Sequence, residues 1–303
     1  MQGVFVDANE ALAVIMERLE KPGDPKVRIH REPDIKPEQY PEILGGAEIA
    51  IVDHTALPTE VAKRCAGLKH VVFLGTGARS YMNPDELAEL GISVHLIKGY
   101  GDTAVAESAI ALMWASARVI AMMDREMRGG NWLREDGMQL TGKTLGLIGF
   151  GGIAAEVARI ATGSGMKVIA WNRSPKSFPG VTFADLDTVL AKSDVVSLHL
   201  LLNDETRGMI TREMIAKMKP GVILINTARA AVVDEAAMID ALKSGHIRHA
   251  GLDVFNIEPL PENHPLTKIP NVTLSAHSAF RTPEASENLI HAAWEHCRRI
   301  VKG

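Results

Sequence analysis

Three residues of complementary chemistry, Arg229, Glu258 and His277, each stand just beyond an apolar run that reads as a buried strand: residues 222–225, 250–255 and 272–276. A guanidinium grips a carboxylate with two parallel N–H donors and polarises a carbonyl beside it, which is the role expected of Arg229. An imidazole donates a proton to a carbonyl oxygen as hydride reaches the carbon and takes it back in reverse, the role expected of His277. A carboxylate on the other ring nitrogen, here Glu258, holds that ring in orientation. Together the three suit reduction of a 2-oxo acid. Singly, each has a plain structural reading: a solvated arginine at a helix start, a turn carboxylate before Pro259, a histidine satisfied at a strand end. Their joint placement argues for a site, because ligands of open parallel sheets bind in the crevice at the carboxyl ends of the strands.

A second group of residues supplies a place for a dinucleotide. The apolar run 144–148 leads directly into Gly149-Phe150-Gly151-Gly152-Ile153-Ala154, followed by a helical pattern over 155–163. Gly149 permits the tight turn, Gly151 admits a pyrophosphate to the backbone, and a small residue at 154 allows close helix packing. The helix start, at Gly152 and Ile153, offers free N–H groups and a positive dipole end to the phosphates. The next strand, 168–171, ends in Asn172-Arg173-Ser174, where NAD-selective sites carry Asp or Glu for the ribose hydroxyls. With no carboxylate to repel a 2′-phosphate and Arg173 available to pair with it, NADP is expected in preference to NAD.

These residues need a scaffold, and the pattern of the chain provides one. Short apolar runs at 4–6, 27–29, 49–52, 71–74 and 92–94 alternate with helical segments at 8–19, 59–66 and 84–90, the last ended by Gly91. Such alternation implies a parallel sheet flanked by helices. A second series begins after Lys98-Gly99-Tyr100-Gly101, a hinge-like stretch, with an apolar helix over 104–118 and a loop at 128–132. The tail at 283–301 is too short to fold alone and is expected to return to the first domain. The fold class is therefore α/β: a Rossmann-type, doubly wound coenzyme domain over 99–279, and a discontinuous flavodoxin-like substrate domain from 1–98 with 280–303.

Composition narrows the function classes. A chain of 303 residues with 46% hydrophobic content fits two ordinary α/β domains. A net charge of −4 provides no basic field for nucleic acid. Two cysteines, Cys65 and Cys297, form no closely spaced motif, and a reduced, cytoplasmic setting is expected. Neither a leader pattern nor an apolar run of bilayer length, about twenty residues, is found, so no membrane association is expected. His246 and His249 lie near a turn at Gly245, and His291 and His296 lack a carboxylate–histidine motif, so no metal site is expected.

The segments 145–154, Ile225-Asn226-Thr227-Ala228-Arg229 through Asp234-Glu235, Gly251-Leu252-Asp253-Val254-Phe255-Asn256-Ile257-Glu258-Pro259-Leu260 and Ser275-Ala276-His277 resemble the D-isomer-specific 2-hydroxyacid dehydrogenase family over nearly the whole chain. The resemblance implies catalytic roles for Arg229, Glu258 and His277, and places Thr227, Ala228 and Asp253 near the nicotinamide. Thr103, within Thr103-Ala104-Val105-Ala106-Glu107, matches another cofactor contact, and Leu201 falls in the loop beside the cofactor. It also assigns Leu74-Gly75-Thr76-Gly77-Ala78 to the substrate carboxylate, consistent with a glycine-rich turn forming an anion nest at Thr76, Gly77 and Ala78. Substrate approached from both domains, with closure excluding water, is the family expectation. So is a homodimer, for which helix 104–118 is either the contact or internal core. The implied substrates are small 2-oxo acids such as glyoxylate or hydroxypyruvate. Phosphite oxidation, which uses a similar trio, and a dinucleotide-sensing role of the corepressor type are the alternatives.

The chain departs from the family pattern in three places. Ala230 stands where Gly is frequent, Arg79 where an acidic residue is frequent, and Leu200-Leu201-Leu202 replaces a proline-containing loop. Arg79 is expected to be solvated, or else to offer a second cation to a longer acidic substrate.

Overall fold

The Val- and Ile-rich runs assemble into two separate parallel sheets in the computed structural model, which describes residues 1–302. The chain divides into two compact units, Met1–Gly101 with the chain from Arg281 onward, and Asp102–Phe280.

The first unit runs β1 (Gln2–Phe5), α1 (Glu10–Arg18), β2 (Lys26–Ile29), α2 (Tyr40–Leu44), β3 (Ile49–Val52), α3 (Thr59–Ala62), β4 (His70–Phe73), α4 (Pro84–Glu89) and β5 (Ser93–Leu96). Its strands are ordered β2-β1-β3-β4-β5, all parallel, which is the flavodoxin order. All four residues of β3 are buried, as required of a parallel strand covered on both faces. Helix boundaries follow local chemistry: Asn9 accepts the Leu12 N–H to start α1, and Asn83 does the same for α4 before Pro84. The C-terminal helix Pro283–Lys302 buries Leu289, Ile290, Ala293 and Trp294 against Phe5, Ile49, Ile51 and Val72. Trp294 also donates its indole N–H to the Met16 carbonyl at 3.0 Å, tying the chain's end to α1.

The second unit contains α5 (Asp102–Ala117), α6 (Ile120–Arg128), β6 (Thr144–Ile148), α7 (Gly152–Gly163), β7 (Lys167–Trp171), β8 (Val181–Phe183), α8 (Leu186–Lys192) and β9 (Val195–Leu198). It continues with α9 (Arg212–Lys217), β10 (Val222–Asn226), α10 (Glu235–Ser244), β11 (Ile247–Leu252) and β12 (Val272–Leu274). The order β12-β11-β10-β9-β6-β7-β8 is the doubly wound dinucleotide-binding order with one strand added at its edge. Strand order reverses between β6 and β9, which puts the ligand crevice beside the loop after β6.

Several elements escaped the sequence pattern, among them the helices α2, α8, α9 and α10. Helix α6 occupies part of the stretch leading to the loop at 128–132, β8 is three residues long, and β9 is a buried four-residue run without alternation. Strand β11 also begins and ends earlier than 250–255, because the chain turns away from the sheet at Asp253. Helix α5 packs on α7, β10 and β11, with Ala106, Ala109, Leu112 and Met113 in one core with Leu145, Leu147 and Val157. That face of the helix is interior, not a contact between copies. Among the described residues no single helix is long and apolar enough to cross a membrane.

Candidate active site

The loop after β6 is shaped to leave its amides free. Gly149 sits at φ +87°, and a Cβ there would lie 2.6 Å from the His199 carbonyl, so both the turn and the close approach require glycine. Gly151 is the residue before α7 and carries no capping side chain, and a Cβ on it would touch nothing within 4 Å. The N–H groups of Gly152, Ile153 and Ala154 donate to no acceptor among the described residues. Ala154 is fully buried, as its packing role demands. An anion set on Gly151 would meet three free donors and a helix dipole, so these residues fit a pyrophosphate.

After β7, where the adenosine end is expected, Asn172 Oδ1 accepts the Phe150 N–H at 3.0 Å and its amide donates to the Ser174 carbonyl at 2.8 Å. Arg173 pairs with Glu205, a residue the sequence reading did not single out. Both side chains are mostly exposed, 73% and 68%, so the pair is weakly held and a phosphate can take Glu205's place. Beyond β10 the Thr227 hydroxyl is buried with no partner among the described residues. Buried hydroxyls are rarely left unpaired, so this one is available to a polar ligand group. Ala228 is half-buried beside it, Thr103 is exposed in the first turn of α5, and Leu201 is exposed in the loop after β9.

Strands β10, β11 and β12 are adjacent, with Asn226 opposite Leu252 and Leu252 opposite Leu274, so the residues following them leave the sheet at one edge. His277 Nδ1 lies 2.7 Å from Glu258 Oε2, with the two side chains about one-third exposed. The other carboxylate oxygen, Oε1, accepts the Phe255 N–H at 2.9 Å, which locks the glutamate in place. His277 adopts φ +47°, a left-handed conformation uncommon for a side-chain-bearing residue. Asp253 sustains it: its carbonyl accepts the His277 N–H at 2.8 Å, and its carboxylate accepts those of Ser278 and Ala279 at 3.0 Å each. The Asp253 side chain, 1% exposed, is thus spent on shaping the His277 turn. Phe280 meets the imidazole edge-on at 6.4 Å between centroids.

Arg229 follows β10 in an extended conformation and donates to the Ala228 carbonyl at 2.7 Å. Its backbone is fixed by Asn226, which sequence reasoning missed: the side chain accepts from Ala228 N–H and donates to the Arg229 carbonyl, both at 3.0 Å. An Asn two residues before a site loop is the usual signal of such a side-chain-closed turn.

In the first unit, the N–H groups of Thr76, Gly77 and Ala78 donate to nothing among the described residues, as an anion nest requires. Arg79 is exposed and paired with Asp85 at 2.9 Å. His246 and His249 are spent on internal partners, the Ile215 carbonyl and the Thr273 hydroxyl, each at 2.9 Å. Among the described residues no three His, Cys, Asp or Glu side chains gather as a metal site.

Residues 110–279 match the family model described as D-isomer specific 2-hydroxyacid dehydrogenase, NAD binding domain. The chain is 37% identical over 285 residues to a hydroxypyruvate reductase of Thermotoga maritima, covering 92% of this chain and 88% of that one. It is also 37% identical over 258 residues to a glyoxylate reductase of Thermofilum pendens, covering 82% of this chain and 76% of that one. Among solved structures, an acyclic imino acid reductase in complex with NADPH and D-Arg superposes with a TM-score of 0.87 at 29% identity, over 100% of this chain and 97% of that one.

Proposed function

Since the chain belongs to the D-isomer specific 2-hydroxyacid dehydrogenase family, and so is an NAD(P)-dependent oxidoreductase of 2-hydroxy acids, we propose that it reduces glyoxylate or hydroxypyruvate with NADPH as the preferred donor. The observation that carries this reading is the 2.7 Å pair between His277 Nδ1 and Glu258, which leaves the ring's Nε2 free to serve a substrate. Bound nicotinamide supplies the hydride. His277 gives its Nε2 proton to the carbonyl oxygen as negative charge develops there, and recovers a proton from solvent after product leaves. Glu258 keeps the ring oriented and offsets its positive charge before transfer. Arg229 holds the substrate carboxylate and polarises the adjacent carbonyl. In the first unit, the free amides of Thr76, Gly77 and Ala78 are a proposed nest for a carboxylate.

For the cofactor, Arg173 supports NADPH, because its guanidinium can exchange an exposed carboxylate for a 2′-phosphate bearing more charge. A homodimer is also proposed, with the exposed Ile120, Met127 and Trp132 as its apolar surface, and a cytoplasmic setting agrees with the free thiols of Cys65 and Cys297. The test is a panel of 2-oxo acids assayed with NADPH and NADH. Glyoxylate or hydroxypyruvate with NADPH should give the highest kcat/KM; a higher value for NADH would overturn the cofactor assignment, and a bulkier acid ranking first would overturn the substrate assignment.

A further inference from the structure

Helices α5 and α7 pack side by side, and the first residue of α5, Asp102, meets the first residue of α7, Gly152. A Cβ built on Gly152 would lie 1.8 Å from Asp102 Oδ2 and 2.8 Å from its Cγ, so the carboxylate rests directly against the glycine backbone. This is a second reason for glycine at 152, besides access of a phosphate. The carboxylate makes no hydrogen bond and no ion pair among the described residues, although it lies at the helix end whose N–H groups are free. Its charged neighbour is Glu156 on α7, which is itself paired with Arg159 at 2.9 Å. Glu107, the next acid along α5, is exposed to solvent.

A helix N-terminus attracts one anion; a second arriving there must contend with the first. We propose that Asp102 is the protein's own anion at the pyrophosphate cradle, and that dinucleotide binding is coupled to uptake of a proton from solvent by its carboxylate. The proposal rests on the reading of the 149–152 loop as the pyrophosphate site. Burial, followed by repulsion from Glu156, already raises the Asp102 pKa above the ordinary carboxylate value in the free protein. A pyrophosphate adds a like charge and raises it further. The sign follows. Below the free-protein pKa the carboxyl is neutral in both states and affinity is greatest; between the free and bound pKa values affinity falls as pH rises, up to tenfold per unit; above both it is constant and weakest. Asp102 thereby makes cofactor retention sensitive to acidity without touching the nicotinamide chemistry.

The probe is ADP-ribose, which carries the pyrophosphate but neither the nicotinamide, which would report on His277, nor a titrating 2′-phosphate. Calorimetric titrations of the full chain between pH 4.5 and 8, in buffers of different ionisation enthalpy, measure both Kd and protons taken up. Wild type should take up protons on binding, about half a proton per ligand at most for a one-unit shift, where pH lies between the free and bound pKa values, with Kd rising through that interval and then levelling. Asp102→Asn should show no such uptake, a flat Kd, and binding at pH 8 about tenfold tighter than wild type, equivalent to one pKa unit. Binding by wild type without proton uptake overturns the coupling and leaves the cofactor assignment standing. Failure of ADP-ribose to bind wild type overturns both. The wild-type measurement requires no variant, and Asp102→Ser, which also suits a helix start, guards against a folding defect in the asparagine form.

Discussion

Asn226 closes the turn that carries Arg229: one amide side chain, 2% exposed, accepts from Ala228 and donates to the Arg229 carbonyl at 3.0 Å. The guanidinium that is to hold the substrate therefore depends on a residue that never faces it. Asn226→Ala should leave the part-buried Ala228 N–H unpaired and the Arg229 carbonyl with only its 3.4 Å bond from the Val232 N–H, and cost about 1–3 kcal/mol of stability. Misplacing the arginine should lower kcat/KM about 10²-fold, with the KM for the 2-oxo acid rising more than that for the dinucleotide. Equal rises in both would place Asn226 in general folding instead.

Gly149 and Gly151 should separate stability from binding. At Gly149 the left-handed backbone and the 2.6 Å approach to His199 make Gly149→Ala destabilising, with a lowered Tm. At Gly151 the added methyl meets no protein atom, so Gly151→Ala should melt close to wild type yet bind ADP-ribose at least tenfold more weakly. Unimpaired binding by Gly151→Ala would mean the pyrophosphate lies elsewhere.

Glu205 competes for Arg173 with any 2′-phosphate. Removing it in Glu205→Gln should lower the KM for NADPH about threefold to tenfold and leave that for NADH unchanged, while Arg173→Ala should raise the KM for NADPH selectively. Steady-state kinetics with both dinucleotides decide this; parallel changes would dissociate the pair from cofactor choice.

His249 sets part of the acid limit of stability. It is 2% exposed, and burial, aided by Arg125 and Arg248, pushes its pKa down from 6.5 to about 4. The unfolded chain binds this proton first, so the stabilisation is complete above pH 6.5 and is lost as pH falls toward 4. The loss attributable to this side chain is on the order of 2–3 kcal/mol. Urea unfolding at pH 7 and pH 4.5 should show a smaller pH dependence for His249→Gln than for wild type, and an unchanged dependence would assign acid loss to other groups.

Much of the scaffold was legible because parallel strands covered on both faces read as short, mostly apolar runs without alternation, as β3, β6 and β10 do. The two short strands β8 and β9 were lost because three or four apolar residues also fit a helix or a loop. Within the site, Arg229, Glu258 and His277 were visible by residue type at strand ends. Asn226 was hidden because its role lies in the backbone it closes, and Glu205 because it meets Arg173 from 32 residues away. Asp253, which resemblance sets near the nicotinamide, has a further role that the sequence did not show: its carboxylate is buried on the amides of Ser278 and Ala279, in the turn at His277.

The proton-donor role of His277 is tested most directly by His277→Gln, with dinucleotide binding followed separately by fluorescence. With glyoxylate and hydroxypyruvate as substrates, kcat should fall between 10² and 10⁴-fold, the usual worth of a positioned acid, while the Kd for NADPH stays within about threefold of wild type. A variant that keeps kcat within threefold of wild type, with cofactor binding intact, would contradict the assignment of His277 as the acid.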